Sequence, residues 1–471
     1  MNDKSKSLIK DTITFAIGTI GSKLILFILV PLYTNCLTPE EYGIADLVFT
    51  LSQLILPFVC LGIYHAVIRF GLDKNESADN VLLCGLFICL LGALFTVCIT
   101  PIFALYESLK PWKWYFCSYI ILQMFYMVFQ NYAKSIGKNK TYAVVNIVYT
   151  LVLALLNILF LLYRNLGIRG YLIANILAVG VVVIILMFSC GVFTLWKRAK
   201  FNALTLKKML KYSMPLILDG IIWWVIQSSN KLFVENILGN EQLGFYTVAT
   251  KIPALMYVVV TIFSQAWGIS TIKEVDNEND SNFYSSIFSI YTCLIFFICI
   301  ALVAVIKPFM KIYVSEVYFT SWRYIPLLLV GNAFLAIADF FGVFYNALKM
   351  PVKNMFVSLV SAVISVLISL LLMVHIGIWA SVLSTFFAYF IMMWVRLVDV
   401  RRYIHVLINW KLFLFNQLLL IAFAVLIVLD FYILITSAIV IVLFTIVNRK
   451  DILGILKEIK TIIKKGKTEK N

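Results

Sequence analysis

Charge is scarce in this sequence. Only 13% of its 471 residues are Asp, Glu, Lys or Arg, about half the share of about 25% that a soluble domain carries. Hydrophobic residues make up 62%, so a soluble globular chain is excluded. Histidine is nearly missing: His65, His375 and His405 are scattered and share no metal-ligand spacing. The nine cysteines show no paired spacing, and all but Cys36 lie in apolar runs where cysteine behaves as a small hydrophobe, so no disulfide framework is implied. There is no Walker-type phosphate loop. The nearest approach, Gly137-Lys138, lacks the upstream glycine and has Asn139 where a Ser or Thr would hold magnesium, which argues against direct ATP use. No G-x-S-x-G and no paired acidic motif at a span end is present, and the longest outer segment, 307–322, has Glu316 as its sole acid. An enzyme has nothing specific to stand on here, and no cofactor is expected.

What is there is apolar length. We read fourteen spans from 11–34 to 431–447, each near the roughly 20 residues that cross a bilayer as a helix. The expected fold class is an all-α polytopic membrane protein. The first run is too long for a signal-peptide core, and no small-residue cleavage site follows it. The net charge of +16 raises the question of nucleic acid. With the N-terminus inside, however, most of the 39 Lys and Arg residues fall in cytoplasmic segments, which is a positive-inside pattern. The basicity is topology and lipid contact, and no nucleic-acid partner is expected.

The chain repeats itself weakly. Asn35, Leu37, Glu40 and Gly43, in the turn after the first span, meet Asn236, Leu238, Glu241 and Gly244 at one constant shift. Leu166-Gly167-Ile168 meets Ile376-Gly377-Ile378 at a similar one. Such repeats mark two-lobed transporters, and six spans per lobe predicts lobes related by a pseudo-two-fold axis along the membrane normal. The expected organisation is an N-terminal lobe at 1–196, a cytoplasmic linker helix at 197–212, a C-terminal lobe at 213–398, an extra helix pair at 399–448 and a basic cytoplasmic tail at 449–471. In the linker, Leu206, Met209 and Leu210 share a helical face between lysines, which suits a helix lying on the inner surface. In the tail, Ile452, Leu456, Ile459 and Ile463 do the same.

Ionisable residues inside spans are costly and normally face a cavity or a partner. Lys23 lies about 18 Å deep, counting 1.5 Å per residue from Asp11, too far for a lysine stem to reach water easily. Lys251 on span eight is similarly deep. Either these lysines line a cavity or they neutralise carboxylates such as Asp46 and Asp219. Arg69 closes span two. Lys231 and Glu235, one turn apart on span seven, suit a local i, i+4 pair. Asp219 and Asp339 are buried acids, suited to loading H⁺ or Na⁺ in one state or to bridging a lysine. Trp223, Trp224 and Trp267 suit sugar stacking or interfacial anchoring. Lysine is a point-charge phosphate ligand. Two deep lysines on the leading spans of opposite lobes suit one anionic, phosphate-bearing head group.

The turn Pro39-Glu40-Glu41-Tyr42-Gly43, the stretch from Leu206 to Pro215 that opens span seven, and Leu243 to Ile252 in span eight resemble the polysaccharide transport (Wzx-type) flippases. These belong to the multidrug/oligosaccharidyl-lipid/polysaccharide exporter superfamily, and the resemblance covers nearly the whole chain. It implies alternating access that carries an undecaprenyl-diphosphate-linked oligosaccharide (O-antigen, capsule or exopolysaccharide) from the inner to the outer leaflet of the bacterial cytoplasmic membrane. Both termini are then cytoplasmic. Membrane lipids, and a glycan polymerase and assembly enzymes, are the implied partners. It also implies that basic residues on the first and eighth spans line the cavity. Lys23 and Lys251 fall there, as lysines where arginines are common, and Arg69 and Lys231 complete the expected substrate ligands, with Asp219 and Asp339 as coupling acids. The rival readings are a cation-coupled drug antiporter of the same fold, which favours a carboxylate-lined cavity, and a membrane glycosyltransferase or polymerase, which needs a long catalytic outer loop.

Overall fold

The computed structural model describes residues 21–73, 75–195, 199–275 and 281–454, and among these the regular structure is all helical, joined by short turns and loops, with no strand. The helices are α1 Gly21–Cys36, α2 Pro39–Val59, α3 Ile63–Gly71, α4 Ala78–Cys98, α5 Lys113–Ser135, α6 Asn139–Tyr163, α7 Gly167–Ser189 and α8 Ala203–Leu238. They continue as α9 Asn240–Val275, α10 Ser281–Tyr313, α11 Ile325–Ala347, α12 Pro351–Ile376, α13 Ile378–Val400, α14 Trp410–Val428 and α15 Ile433–Val447. Eleven of the described helices are long and apolar enough to cross a membrane, and α1 and α15 are shorter apolar helices. The protein is a multi-pass, all-α membrane protein. α5 is 23 residues long but carries Gln123, Gln130 and Asn131 in its length, which lowers its hydropathy. With it, and with α2 and α3 as one bent span, each of the fourteen expected segments holds a helix among its described residues, the first from Gly21 onward. The bend lies at Leu61 and Gly62, both left-handed (φ 51° and 59°), just beyond Pro57, which lies inside α2 and cannot donate to the ladder.

The helices fall into two compact units, Met1–Thr247 and Val248–Asn471. In unit 1, α7 packs on α5 and α6, α5 on α3 and α4, and α8 on α2 and α3. The second half of the expected linker is not a separate surface helix. Asn202 caps α8 by accepting from the Leu204 and Thr205 amides, and one helix of 36 residues then runs through Pro215 without a break. An N-cap followed by strong helix formers (Leu206, Lys207, Lys208, Met209, Leu210) starts the helix early and leaves nothing to stop it before Pro215.

In unit 2, α11 is the core. Phe334, Phe340, Phe341, Phe344 and Tyr345 on it are fully buried. α13 packs on α11 and α12. Ser358, Ser361, Ser365 and Ser369 on α12 are buried at helical spacing, as are Ser381 and Ser384 on α13. Small residues let two apolar helices approach closely where lipid supplies no hydrophobic drive. The pair α14 and α15 packs on α10, and Lys307 at the end of α10 meets Asp430 in the α14–α15 turn at 2.5 Å. Of the tail stripe only Ile452 is described. Leu456, Ile459 and Ile463 lie outside the described residues.

Candidate functional site

Unit 1 builds its polar site on a crossing of α2 and α9. Thr38 caps α2 in a reciprocal box: its Oγ1 accepts from the Glu41 amide at 3.2 Å, and Glu41 Oε2 accepts from the Thr38 amide at 3.1 Å. This sets Gly43 against the first turn of α9. A Cβ on Gly43 would lie 2.2 Å from the Asn240 carbonyl oxygen, and one on Gly244 would lie 2.0 Å from that of Pro39. Only glycine permits that approach. The contact is reciprocal, because Gly43 and Gly244, and Pro39 and Asn240, are equivalent positions of the repeat. The repeat therefore encodes a helix crossing in which each copy makes room for the other.

Three residues further along each helix, Thr247 Oγ1 donates to Asp46 Oδ2 at 3.1 Å. Lys231 Nζ lies 2.6 Å from the same oxygen and donates to Thr50 Oγ1 at 3.5 Å. Trp224 Nε1 donates to the Thr50 carbonyl at 2.9 Å. Lys231 thus serves Asp46, and the expected local pair with Glu235 does not form. Glu235 instead accepts from Tyr106 Oη and, at 2.5 Å, from Ser108 Oγ. Burial, and then the Glu235 carboxylate, hold the Tyr106 phenol above its ordinary range. A tertiary partner in lower dielectric outbids a helical neighbour separated only by one turn.

Of the other expected ligands in unit 1, Lys23 is exposed on α1. Its neighbour Ser22 donates to the Asn146 carbonyl on α6 at 3.2 Å. Arg69 is exposed in the last turn of α3, with no partner among the described residues. The side chain of Asp219 lies outside the described residues.

In unit 2, Lys251 is half-buried on α9. Asp339 on α11 pairs with Arg396 of α13: Arg396 Nη1 lies 3.2 Å from Asp339 Oδ1 and also donates to the Ala338 carbonyl at 3.0 Å. Its Nη2 donates to Ser358 Oγ at 3.2 Å, and Tyr257 Oη donates to Asp339 Oδ2 at 2.9 Å. The Arg396 side chain is 1% exposed. Gly342 leaves it space, since a Cβ there would lie 2.7 Å from Nη1. Sequence patterning does not single out Arg396, which Asp399, Arg401 and Arg402 follow closely. No signal in one sequence separates a flank arginine from one turned inward. Trp267 is neither a free stacking platform nor an interfacial anchor. It is buried, its ring lies 4.7 Å from that of Phe340, and its Nε1 donates to the Phe340 carbonyl at 3.1 Å.

Several solved structures share this fold. A lipid II flippase, MurJ, in an inward closed conformation matches with a TM-score of 0.67 at 13% identity, over 94% of this chain and 100% of that one. An inward-facing multidrug resistance MATE family transporter of the MOP superfamily matches with a TM-score of 0.64 at 15% identity, over 83% and 98%. A MOP superfamily transporter from Pyrococcus furiosus, described as having a binding pocket of reverse polarity, matches with a TM-score of 0.58 at 16% identity, over 83% and 95%. No curated protein sequence matches the chain. Residues 8–268, more than half of the chain, match the polysaccharide biosynthesis protein family. The chain belongs to that family, on the fold shared by the MOP superfamily transporters.

Proposed function

We propose that this protein is a flippase that moves an undecaprenyl-diphosphate-linked oligosaccharide from the inner to the outer leaflet of the bacterial cytoplasmic membrane by alternating access. Both termini are cytoplasmic in this reading, and the protein is a transporter with no catalytic step of its own. The observation that carries it is the family match over residues 8–268, on a fold that spans the full length of a lipid II flippase. Lys23, Arg69 and Lys251 are the cations proposed to meet the diphosphate during transport. Lys231 joins them when it exchanges Asp46 for a phosphate oxygen, which its flexible stem permits. Coupling through Asp339 requires an ion to displace Arg396 in one state. Asp219 is the second proposed coupling acid.

The multidrug reading draws on the fold shared with MATE transporters. It needs a carboxylate free for a cationic drug. Asp46 and Asp339 are both held by basic residues, which favours an anionic substrate.

Deleting the gene and analysing the lipids tests the proposal. A lipid-linked glycan should accumulate on the cytoplasmic side, and wild-type protein should clear it while Lys23→Ala and Lys251→Ala, inserted at normal levels, should not. A deletion strain with an unchanged lipid-linked glycan pool and raised sensitivity to cationic drugs points to the antiporter.

A further inference from the structure

The flippase reading assigns cations to the diphosphate and nothing to the sugars. The structure offers a surface for them in unit 1. On α5, Tyr119, Gln123, Tyr126 and Gln130 recur at i, i+4, i+7 and i+11 and so share one face. On α6, Asn146 and Tyr149 do likewise, and all six side chains are half-buried. The two stripes meet. Tyr126 Oη donates to Asn146 Oδ1 at 2.8 Å, while Gln130 Nε2 donates to Tyr126 Oη at 2.6 Å and to Asn146 Oδ1 at 3.0 Å. The rings of Tyr126 and Tyr149 stack with centroids 6.4 Å apart. Gln123 Oε1 is buried and has no hydrogen-bond partner among the described residues. The stripe also touches the helix of the deep lysine, because Ser22, next to Lys23, donates to the Asn146 carbonyl.

Polar side chains in a membrane segment are expensive and line pathways or pair with one another. Here some pair, and one buried acceptor is left over, which costs free energy unless something donates to it. The chemistry suits a sugar. Amides present a donor and an acceptor side by side to vicinal hydroxyls, and aromatic faces, with their negative quadrupole, accept the C–H patches of a pyranose ring. We propose that the stripe of Tyr119, Gln123, Tyr126, Gln130, Asn146 and Tyr149 is the glycan-reading surface of this transporter, holding the sugars attached to a diphosphate bound at Lys23. The proposal rests on the flippase reading.

Gln123→Leu is the clean variant, because it keeps the volume and removes no bond within the protein. Purified full-length protein in detergent would be titrated with two probes: undecaprenyl diphosphate without sugar, and the undecaprenyl-diphosphate-linked glycan purified from host cells that lack this protein. Wild type should bind the glycan form more tightly than the bare form. Gln123→Leu should weaken the glycan form by about fivefold, the worth of one hydrogen bond, and leave the bare form unchanged at an unchanged thermal midpoint. Equal wild-type binding of the two probes overturns the sugar-reading surface and leaves the flippase reading standing. Equal weakening of both probes in the variant, or none, also overturns it. Wild type that binds neither probe overturns the flippase reading and this inference together.

Discussion

Asp46 in unit 1 and Asp339 in unit 2 are each neutralised by a basic side chain from another helix, but the two clusters hold their charges differently. Lys231 holds Asp46 through one rotatable ammonium, shared with Thr50, and Asp46, which also accepts from Thr247, sits just inside a helix crossing. Arg396 holds Asp339 with a planar fork that is also fixed to Ala338 and Ser358, at 1% exposure against 17% for the Lys231 side chain. An ammonium can trade one anion for another, whereas a guanidinium pinned at three points cannot move without losing all of them. Asp46 is thus held by the more readily moved cation and Asp339 by the more firmly fixed one, so coupling through Asp339 would have to break all three contacts of Arg396.

The comparison breaks most visibly at Arg396. Arg396→Met leaves the mostly buried Asp339 carboxylate with Tyr257 as its remaining donor among the described residues and should cost about 3–5 kcal/mol, read as a lower thermal midpoint in detergent and a lower membrane level. Adding Asp339→Leu should recover most of that loss, because the unpaired charge goes with it. A double variant no better than the single would show that Arg396 matters for something other than Asp339.

Next is the crossing. Gly244→Ala puts a methyl group 2.0 Å from the Pro39 carbonyl oxygen, so α2 and α9 must part. Overpacking of this kind costs about 1–3 kcal/mol, and it should also weaken the Thr247–Asp46 bond nearby. A thermal midpoint equal to wild type would remove the reciprocal crossing from the account. Lys231→Met should cost about 1–3 kcal/mol, as expected for a partly buried acceptor that keeps one of its donors, and clearly less than Arg396→Met in the same assay. The reverse order would invert the comparison. Lys307→Ala removes an ion pair whose side chains are 31% and 49% exposed, and should cost less than about 1 kcal/mol.

What the sequence could tell divides along the same line. Apolar length is a local signal, so every expected span holds a helix among its described residues. Gly43 and Gly244 were visible as repeat identities. That they face each other is a statement about two helices far apart in sequence, and no local pattern carries it. Lys231 read locally points to Glu235, because i, i+4 is the sole neighbour a sequence supplies. Its partner Asp46 became visible only with the fold. Arg396 was hidden by the charges that follow it, and Trp267 by the habit of placing tryptophan at an interface. The polar face of α5 repeats at helical spacing and was legible in principle, yet it was masked by the apolar residues between.

The most direct test of the central claim is transport by purified full-length protein in proteoliposomes, offered both the undecaprenyl-diphosphate-linked glycan and a cationic dye under an imposed ion gradient. The account predicts that the lipid-linked glycan reaches the opposite leaflet, that Lys23→Ala abolishes this, and that the dye is not moved. Gradient-driven dye extrusion with the lipid-linked glycan left in place would contradict it.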